Sequence, residues 1–382
     1  MVFLHSFVAM IGGEHPVMKP FVGRLQRCME SMQAERMSQL IVSSTANLFY
    51  LTGQRIDTGE RMCCLLLDQD KPPALFIHQM FQGQLTLPDE IELVVWSDEN
   101  DPIALLSEYV SGTGIIGIDQ NWISSFLIDL MHAHPGLQPV KSRIVEKLRE
   151  IKDENEINIL RQSARIADAV MHQVVELQHL PTTELQMAET IRSFFGEHQV
   201  RELSFPPIIG FGKNSAHPHH ESGAAGLIPD QTIVIDMGGV YQHYCSDITR
   251  TLFYGRPNKE FEEVYRIVLA AQEEAIAMIK PGVRFADVDR MIRQEFAARG
   301  YDRYFTHRTG HGVGLELHEG PFLHQHNLDE MRPGMVFTIE PGIYLPGRFG
   351  VRIEDVVVVT DTGCEVLTLS PKEVRYIDIR EG

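Results

Sequence analysis

The chain has 382 residues, of which 43% are hydrophobic and 23% charged, and its formal net charge is −18. This composition can bury a large core and lacks the bias of disordered chains, while the length exceeds the usual limit of one core and predicts two domains. The negative charge opposes nucleic acid and anionic membranes as partners, and no apolar run reaches membrane-spanning length.

The five cysteines are scattered along the chain and odd in number. This usage argues against a disulfide framework and is typical of a reducing compartment, so we expect a cytoplasmic protein. The first residues lack the basic region and the cleavage site of a signal peptide. Apolar residues at helical spacing begin after Met18, so residues 1–17 are predicted to be an extension outside the domain proper.

An α/β pattern follows and predicts a small mixed-sheet domain at residues 18–145. A strand at 39–44, a short helix or turn at 47–53 that ends in glycine, and a helix at about 102–111 belong to this pattern. Further strands are predicted at 62–68, 74–78, 91–96 and 114–119. This half contains no visible catalytic cluster.

Residues 146–382 are predicted to form a second domain. A charged helix at 144–152 and an amphipathic helix at 157–174 lie at its start. Another helix begins after Thr183, which can form a capping box with Gln186.

The last third of the chain contains an internal duplication. One copy places Asp236 at the end of a strand-like segment opened by proline, and the other copy places Glu340 in the same way. A second acid follows in each copy, Asp247 in the first and Glu354 in the second. A helix precedes both copies, at 285–300 in the second, so one duplicated domain is predicted. Four carboxylates would converge, and four anions share a dry site only when cations neutralise them, which favours a pair of divalent metal ions.

Histidines are the second component of the predicted site. His311 and His318 lie in a glycine-rich segment, where the backbone can approach a ligand closely, and His219 lies in a polar loop before the first acid strand. Imidazole combined with carboxylates suits manganese, cobalt, zinc or iron better than calcium. The remaining histidines of this region are expected to face solvent: His217, His220, His243, His324 and His326.

Together these residues resemble the pita-bread metallopeptidases, which include methionine aminopeptidase, aminopeptidase P and prolidase. The strings Ser-Asp-Ile-Thr-Arg-Thr, Gly-His-Gly-Val-Gly-Leu-Glu-Leu-His-Glu and Thr-Ile-Glu-Pro-Gly-Ile-Tyr are similar to those of the prolidase and aminopeptidase P branch. The resemblance implies an α/β fold in which a creatinase-type N-terminal domain precedes an internally duplicated pita-bread catalytic domain. The set that resembles the five metal ligands of the family is Asp236, Asp247, His311, Glu340 and Glu354.

The resemblance also implies a role for each ligand. Asp247 and Glu354 would bridge two divalent metal ions, Asp236 would bind one ion, and His311 and Glu340 would bind the other. Manganese is expected first, with cobalt, zinc and iron as alternatives. The ions would activate water and polarise the scissile carbonyl, and Glu340 would also relay a proton as a catalytic acid and base.

Four further residues complete the implied site. His219 and His318 would be catalytic residues that hold the substrate and the tetrahedral intermediate, and His307 and Arg352 would bind substrate. Each of the last two also has a plainer interpretation. His307 can be a packing residue of its loop, and Arg352 can orient a metal-binding carboxylate or pair with Asp355.

The predicted activity is hydrolysis of the peptide bond before proline, with an Xaa-Pro dipeptidase (prolidase) favoured. A dipeptidase requires a cation for the proline carboxylate. In some prolidases an arginine stands four residues after the second site histidine, where this chain has Phe322. Arg352, Arg348 or Arg332 would then have to replace it. The expected partner is a proline-containing dipeptide or short peptide, and the family resemblance suggests a homodimer.

Two alternatives remain open from the sequence. The first is an aminopeptidase P that acts on longer peptides. The second, of another class, is a metal-free creatinase-like enzyme or a non-catalytic binding module. Such proteins are expected to have lost metal ligands, and all five ligand positions are intact here.

Overall fold

The computed structural model describes residues 19–177 and 182–378, and the chain divides into two compact units between Arg149 and Glu150. The extension predicted at residues 1–17 lies outside the described residues, and the domain limits of 18–145 and 146–382 stay a prediction. None of the helices in the described ranges is long and apolar enough to cross a membrane.

The first unit is built on a six-stranded mixed sheet with the strand order β4-β3-β2-β1-β5-β6. Strand β1 pairs with β2 in antiparallel and with β5 in parallel orientation, so a mixed sheet is present as predicted. The strands are β1 (Gln39–Val42), β2 (Cys64–Asp68), β3 (Ala74–His78), β4 (Glu92–Trp96), β5 (Thr113–Ile118) and β6 (Gly136–Lys141).

Strand β6 was not predicted, because its residues are largely exposed and do not alternate in polarity. It pairs only with β5 in this sheet order, and this edge position tolerates Pro139, which cannot donate a ladder hydrogen bond. An edge strand of this kind carries little of the hydrophobic signal on which sequence assignment depends.

Helices of the first unit pack against this sheet. The short helix predicted at 47–53 is present, and it begins after Ser44, whose side chain accepts a hydrogen bond from the backbone N–H of Asn47. It ends at Gly53, which has φ of 73°, a conformation that glycine adopts without strain. The helices are α1 (Lys19–Ala34), α2 (Thr45–Thr52), α3 (Gln79–Gln82), α4 (Pro102–Ser107), α5 (Ser124–Ala133) and α6 (Ile144–Glu150).

The second unit contains a four-stranded sheet, a five-stranded sheet and two two-stranded ribbons. The four-stranded sheet has the order β19-β11-β8-β7, and the five-stranded sheet has the order β13-β12-β14-β17-β18. The strands are β7 (Ile208–Phe211), β8 (Gln231–Met237), β9 (Val240–Tyr241), β10 (Tyr244–Cys245), β11 (Ile248–Tyr254), β12 (Gly310–Gly312), β13 (Glu319–Leu323), β14 (Val336–Ile339), β15 (Gly342–Leu345), β16 (Phe349–Arg352), β17 (Asp355–Val359), β18 (Cys364–Val366) and β19 (Arg375–Ile377).

The helices of the second unit are α7 (Glu154–Val175), α8 (Glu184–Glu197), α9 (Lys259–Met278) and α10 (Phe285–Ala298). The capping box predicted for Thr183 and Gln186 is present at the start of α8. Helix α9 was not assigned from the sequence. It begins after Asn258, whose side chain accepts from the backbone N–H of Phe261, and buries Phe261, Val264 and Val268 at helical spacing.

The duplicated strand pairs are both present and both antiparallel. In the first pair, β8 and β11, Asp236 lies opposite Thr249. In the second pair, β14 and β17, Ile339 lies opposite Asp355. The strand ends that carry the predicted acids therefore occupy comparable positions in the two sheets.

Candidate active site

A cavity of about 460 Å³ in the second unit brings all nine predicted site residues together. Its size is within the usual range for small-molecule sites. The predicted residues that line it are Asp236, Asp247, His311, Glu340, Glu354, His219, His318, His307 and Arg352. The remaining lining residues are Phe205, Ile208, Pro218, Arg308 and Leu317.

The four acids enter this cavity from the ends of strands. Asp236 is near the end of β8, and Asp247 directly precedes β11. Glu340 directly follows β14, and Glu354 lies between β16 and β17. Strand ends suit this role because a strand fixes the backbone firmly while its last side chain is free to meet a ligand.

His311 lies on β12, where its ring faces two of the acids. Its Nδ1 lies 3.1 Å from the carbonyl oxygen of Gly312, so Nδ1 carries the proton and donates. The unprotonated Nε2 then lies 3.6 Å from Asp247 Oδ2 and 3.4 Å from Glu340 Oε1. Burial lowers the pKa of His311 to about 3, which keeps the ring neutral. An imidazole lone pair that faces two carboxylates is favourable when a metal ion or a proton lies between them.

The carboxyl groups of the cavity also require a cation. Burial, followed by the charges of Glu354 and Asp236, raises the pKa of Asp247 well above its ordinary value. Burial and the charge of Glu340 do the same to Glu354. Burial raises the pKa of Glu340 itself to about 8. Each acid therefore destabilises the charge of the others, and positive charge placed among them would relieve this repulsion.

The donor atoms fit a metal centre. Asp247, His311 and Glu354 offer atoms that all lie within 4.8 Å of one another. Asp236 Oδ1 is buried, yet no group of the described chain donates a hydrogen bond to it. A buried carboxylate oxygen without a donor is costly unless a cation occupies its free side. Asp236, Asp247, His311, Glu340 and Glu354 are thus the residues that could hold divalent metal ions.

Arg352 is buried beside this centre and forms a network within the protein. Its Nη2 donates to Asp236 Oδ2 at 2.6 Å, and its Nη1 donates to the hydroxyl of Tyr344 at 2.9 Å. Its Nε donates to Thr249 Oγ1 at 3.0 Å. The pairing with Asp355 considered above is wrong, because Arg250 forms that ion pair at 2.7 Å. The contacts favour Arg352 as the group that orients Asp236.

His307 belongs to the same network. Its Nδ1 donates to the carbonyl oxygen of Arg308 at 2.7 Å, which leaves Nε2 to accept from the Tyr344 hydroxyl at 2.8 Å. Burial, followed by the charge of Arg352, lowers the pKa of His307 to about 3, so the ring is neutral. Both nitrogens of His307 have protein partners, so its ring face is the part that remains for a substrate.

His318 and His219 both line the cavity that contains the acids. The ring centroid of His318 lies 4.2 Å from that of His311 in an edge-on arrangement. Burial, followed by the charge of Arg308, lowers the pKa of His318. His219 is exposed on the loop after β7 and lines the cavity. Each of these rings can present a hydrogen bond to a bound peptide.

The loop that carries His219 is held by a buried acid on α8 that sequence reasoning missed. Glu184 accepts hydrogen bonds from the backbone N–H groups of Phe211 and Gly223 at 2.9 and 3.1 Å. It also accepts from His220 Nε2 at 2.8 Å and from the Asn214 amide at 2.9 Å. His220 was expected to face solvent, but it is partly buried in this contact. The expectation failed because the acid that binds His220 is 36 residues away in sequence.

Arg308 is the second residue of the site that sequence reasoning missed. It lines the cavity, and its guanidinium lies over the ring of Phe322, 4.3 Å from the ring centroid. A signal was available, since Arg308 directly follows His307 and precedes His311 by three residues. Arg348 and Arg332, the other arginines considered for the proline carboxylate, do not line this cavity. Arg348 pairs with Glu260 at 2.6 Å beside another cavity, and Arg332 is exposed.

Comparison with known proteins agrees with this geometry. Residues 158–361 match Metallopeptidase family M24, and residues 24–151 match the Creatinase/Prolidase N-terminal domain. An uncharacterised peptidase of Staphylococcus aureus strain MRSA252 is 34% identical over 352 residues, which cover 90% of this chain and 98% of that protein.

Solved structures give the same result. A recombinant prolidase from Thermococcus sibiricus superposes with a TM-score of 0.88 at 32% identity, over 93% of this chain and 98% of its own. The Xaa-Pro dipeptidase from Bacillus anthracis superposes with a TM-score of 0.85 at 30% identity, over 94% of this chain and 100% of its own. This chain therefore belongs to metallopeptidase family M24, as a pita-bread enzyme with a creatinase/prolidase N-terminal domain.

Proposed function

We propose that the enzyme is an Xaa-Pro dipeptidase, which hydrolyses the bond between the first residue and proline in a dipeptide. The observation that carries this proposal is one cavity of about 460 Å³, which holds the four acids, four histidines and two arginines together. The prolidase and the Xaa-Pro dipeptidase that resemble this chain over more than nine-tenths of its length support the same assignment.

Members of this family use divalent metals, and the donor set described above would hold two ions. As the family resemblance implies, the residues that would hold these ions are Asp236, Asp247, His311, Glu340 and Glu354. Manganese is the first proposed ion, with cobalt, zinc and iron as alternatives, because a mixture of carboxylates and imidazole suits these ions. Bound ions of this kind activate water and polarise the scissile carbonyl.

The side chains of the protein supply the remaining chemistry. Glu340 is the proposed acid and base: it accepts a proton from the attacking water and delivers it to the proline nitrogen as the peptide bond breaks. A carboxylate beside the attacking water can take up and release a proton in this way. His219 and His318 are the proposed donors to the substrate and to its developing oxyanion.

A homodimer is the proposed assembly, on the family resemblance alone. Light scattering of the purified enzyme measures the molar mass directly. A mass of one chain would remove this part of the proposal and leave the activity assignment untouched.

The substrate assignment is tested by comparing kcat/KM for Ala-Pro, Ala-Pro-amide and Ala-Pro-Yaa peptides with manganese-loaded enzyme. A dipeptidase should prefer Ala-Pro clearly, because only the dipeptide presents a proline carboxylate at the correct distance. Equal cleavage of all three substrates would contradict the dipeptidase assignment and favour an aminopeptidase P. Cleavage of Ala-Ala as fast as Ala-Pro would contradict the requirement for proline.

A further inference from the structure

A dipeptide brings a free carboxylate into a cavity that already contains four acids. A cation must therefore offset this charge, and it must have donors that the protein itself does not use. Two guanidinium groups line the cavity, those of Arg308 and Arg352. Their contacts distinguish them.

Four of the five N–H donors of Arg352 are already engaged. They bind Asp236, Tyr344 and Thr249, with a longer contact of 3.4 Å to the carbonyl oxygen of Pro218. Arg352 is also buried, with 3% of its surface exposed. To bind a substrate carboxylate through two parallel hydrogen bonds, it would have to give up at least one of these contacts.

Arg308, in contrast, has N–H donors that are available to a ligand. It is partly exposed, and within the described ranges its guanidinium makes no hydrogen bond or ion pair with the protein. The ring of Phe322 supports one face of the guanidinium, 4.3 Å from its carbon. Such stacking fixes the plane of the group while its N–H donors stay free at the edge.

The position of Phe322 explains why this support faces the site. Phe322 lies directly opposite His311 in the antiparallel pair of β12 and β13. Residues directly opposite one another in such a pair project to the same face of the sheet. The Phe322 ring thus holds Arg308 on the side of the sheet where His311 meets the acids.

Resting on the dipeptidase function, we propose that Arg308, stacked on Phe322, binds the proline carboxylate and selects dipeptides over longer peptides. A planar guanidinium pairs with a carboxylate through two parallel hydrogen bonds. In a longer peptide or an amide this carboxylate is absent, so the substrate gains no such pair.

The test measures kcat/KM for Ala-Pro and Ala-Pro-amide in wild-type enzyme and in Arg308→Met, Arg308→Lys and Phe322→Leu variants. Methionine keeps an unbranched apolar chain and removes the charge. Arg332→Met is the matched control, because Arg332 is exposed and does not line the cavity. Bound manganese is counted in every variant, which separates a substrate effect from damage to the metal centre.

Arg308→Met is expected to lose about ten- to a hundredfold in kcat/KM for Ala-Pro, the usual effect of removing a charge-assisted hydrogen bond. Its activity on Ala-Pro-amide and its manganese content should stay near wild type. Arg308→Lys should retain part of the preference for Ala-Pro over Ala-Pro-amide, since lysine keeps the positive charge but cannot form the two parallel hydrogen bonds of a guanidinium. Phe322→Leu should show a smaller loss that is confined to Ala-Pro, and Arg332→Met should show none.

An unchanged preference for Ala-Pro in Arg308→Met would overturn the proposal, and so would an equal loss on both substrates. If Arg308→Met does not fold, unchanged preferences in both Arg308→Lys and Phe322→Leu would overturn it. Failure of the dipeptidase function is distinguishable, because it appears in the wild-type enzyme as equal cleavage of the two substrates.

Discussion

At the scale of single residues, the tautomer of His311 connects the geometry to the chemistry. The Gly312 carbonyl holds the proton on Nδ1, so the lone pair of Nε2 faces Asp247 and Glu340. Substituting His311 should therefore affect metal binding, whereas His318 contacts His311 only edge to edge. The roles of His311 and His318 can therefore be distinguished by experiment.

We expect His311→Ala to lose both activity and bound metal. His219→Ala and His318→Ala should keep their metal and lose about a hundred- to a thousandfold in kcat, as expected for donors to a developing oxyanion. Metal analysis beside steady-state kinetics on the three variants is the measurement. Loss of metal in His318→Ala would show instead that His318 is a ligand.

The same scale shows what the sequence could and could not predict. The four acids and His311 were identifiable because each lies in a local string with a fixed position relative to a strand end. The free donors of Arg308 and the engaged donors of Arg352 were not, since they depend on Phe322, Asp236 and Tyr344. Asp236 is 116 residues from Arg352 in sequence, and no local pattern encodes which of two arginines has a partner.

At the scale of elements, α8 holds the loop that carries His219. Glu184 on α8 accepts hydrogen bonds from Phe211, Asn214, His220 and Gly223, and the loop between these residues includes His219. Burial raises the pKa of Glu184, but the hydrogen bonds from His220 and the backbone outweigh it and lower the pKa overall. The charged form of Glu184 is thus the one that orders the loop.

We expect Glu184→Gln to loosen this loop. Glutamine replaces one carboxylate oxygen with an NH₂ group, which cannot accept a hydrogen bond and would face a buried N–H donor. The free energy of unfolding should fall by about 1–3 kcal/mol, the usual cost of an unsatisfied buried group, and kcat/KM should fall with it. Urea unfolding measures the first quantity. Glu189→Gln on the exposed face of the same helix is the control, and equal effects in both variants would contradict this role of Glu184.

Elements were predicted well where a periodic apolar face or a cap was present, as in α7 and α8. Strand β6 was missed because an exposed edge strand has no such face. Helix α9 shows the reverse case. Its apolar spacing is regular and its cap at Asn258 is standard, so the sequence does contain the signal for this helix.

At the scale of the whole molecule, the duplication places carboxylates from two sheets in one cavity. The four acids carry a charge of −4 when all of them are ionised, and two divalent cations would offset it. Without cations, folding opposes ionisation, so the protein takes up protons instead. The stability of the metal-free protein should therefore depend on pH in a particular direction.

Burial raises the pKa of Glu340 from 4.5 to about 8, so the folded state binds more protons than the unfolded state between these values. Stability then falls as pH rises through this window. We expect chelated protein to melt at a lower temperature at pH 8 than at pH 7, where unfolded histidines are already largely neutral. Added manganese should reduce this difference in melting temperature between pH 7 and pH 8. The chelated Glu340→Gln variant should also show a smaller difference than the chelated wild-type protein. The same pH dependence with and without manganese would contradict the account.

We propose that two divalent ions, held by the converging acids, make this enzyme active. The most direct measurement is a titration of manganese into chelated enzyme, with bound metal and Ala-Pro hydrolysis recorded on the same samples. We expect no turnover in the metal-free enzyme and a rise that saturates at two ions per chain. Full activity in enzyme whose metal content is verified as zero would contradict the claim.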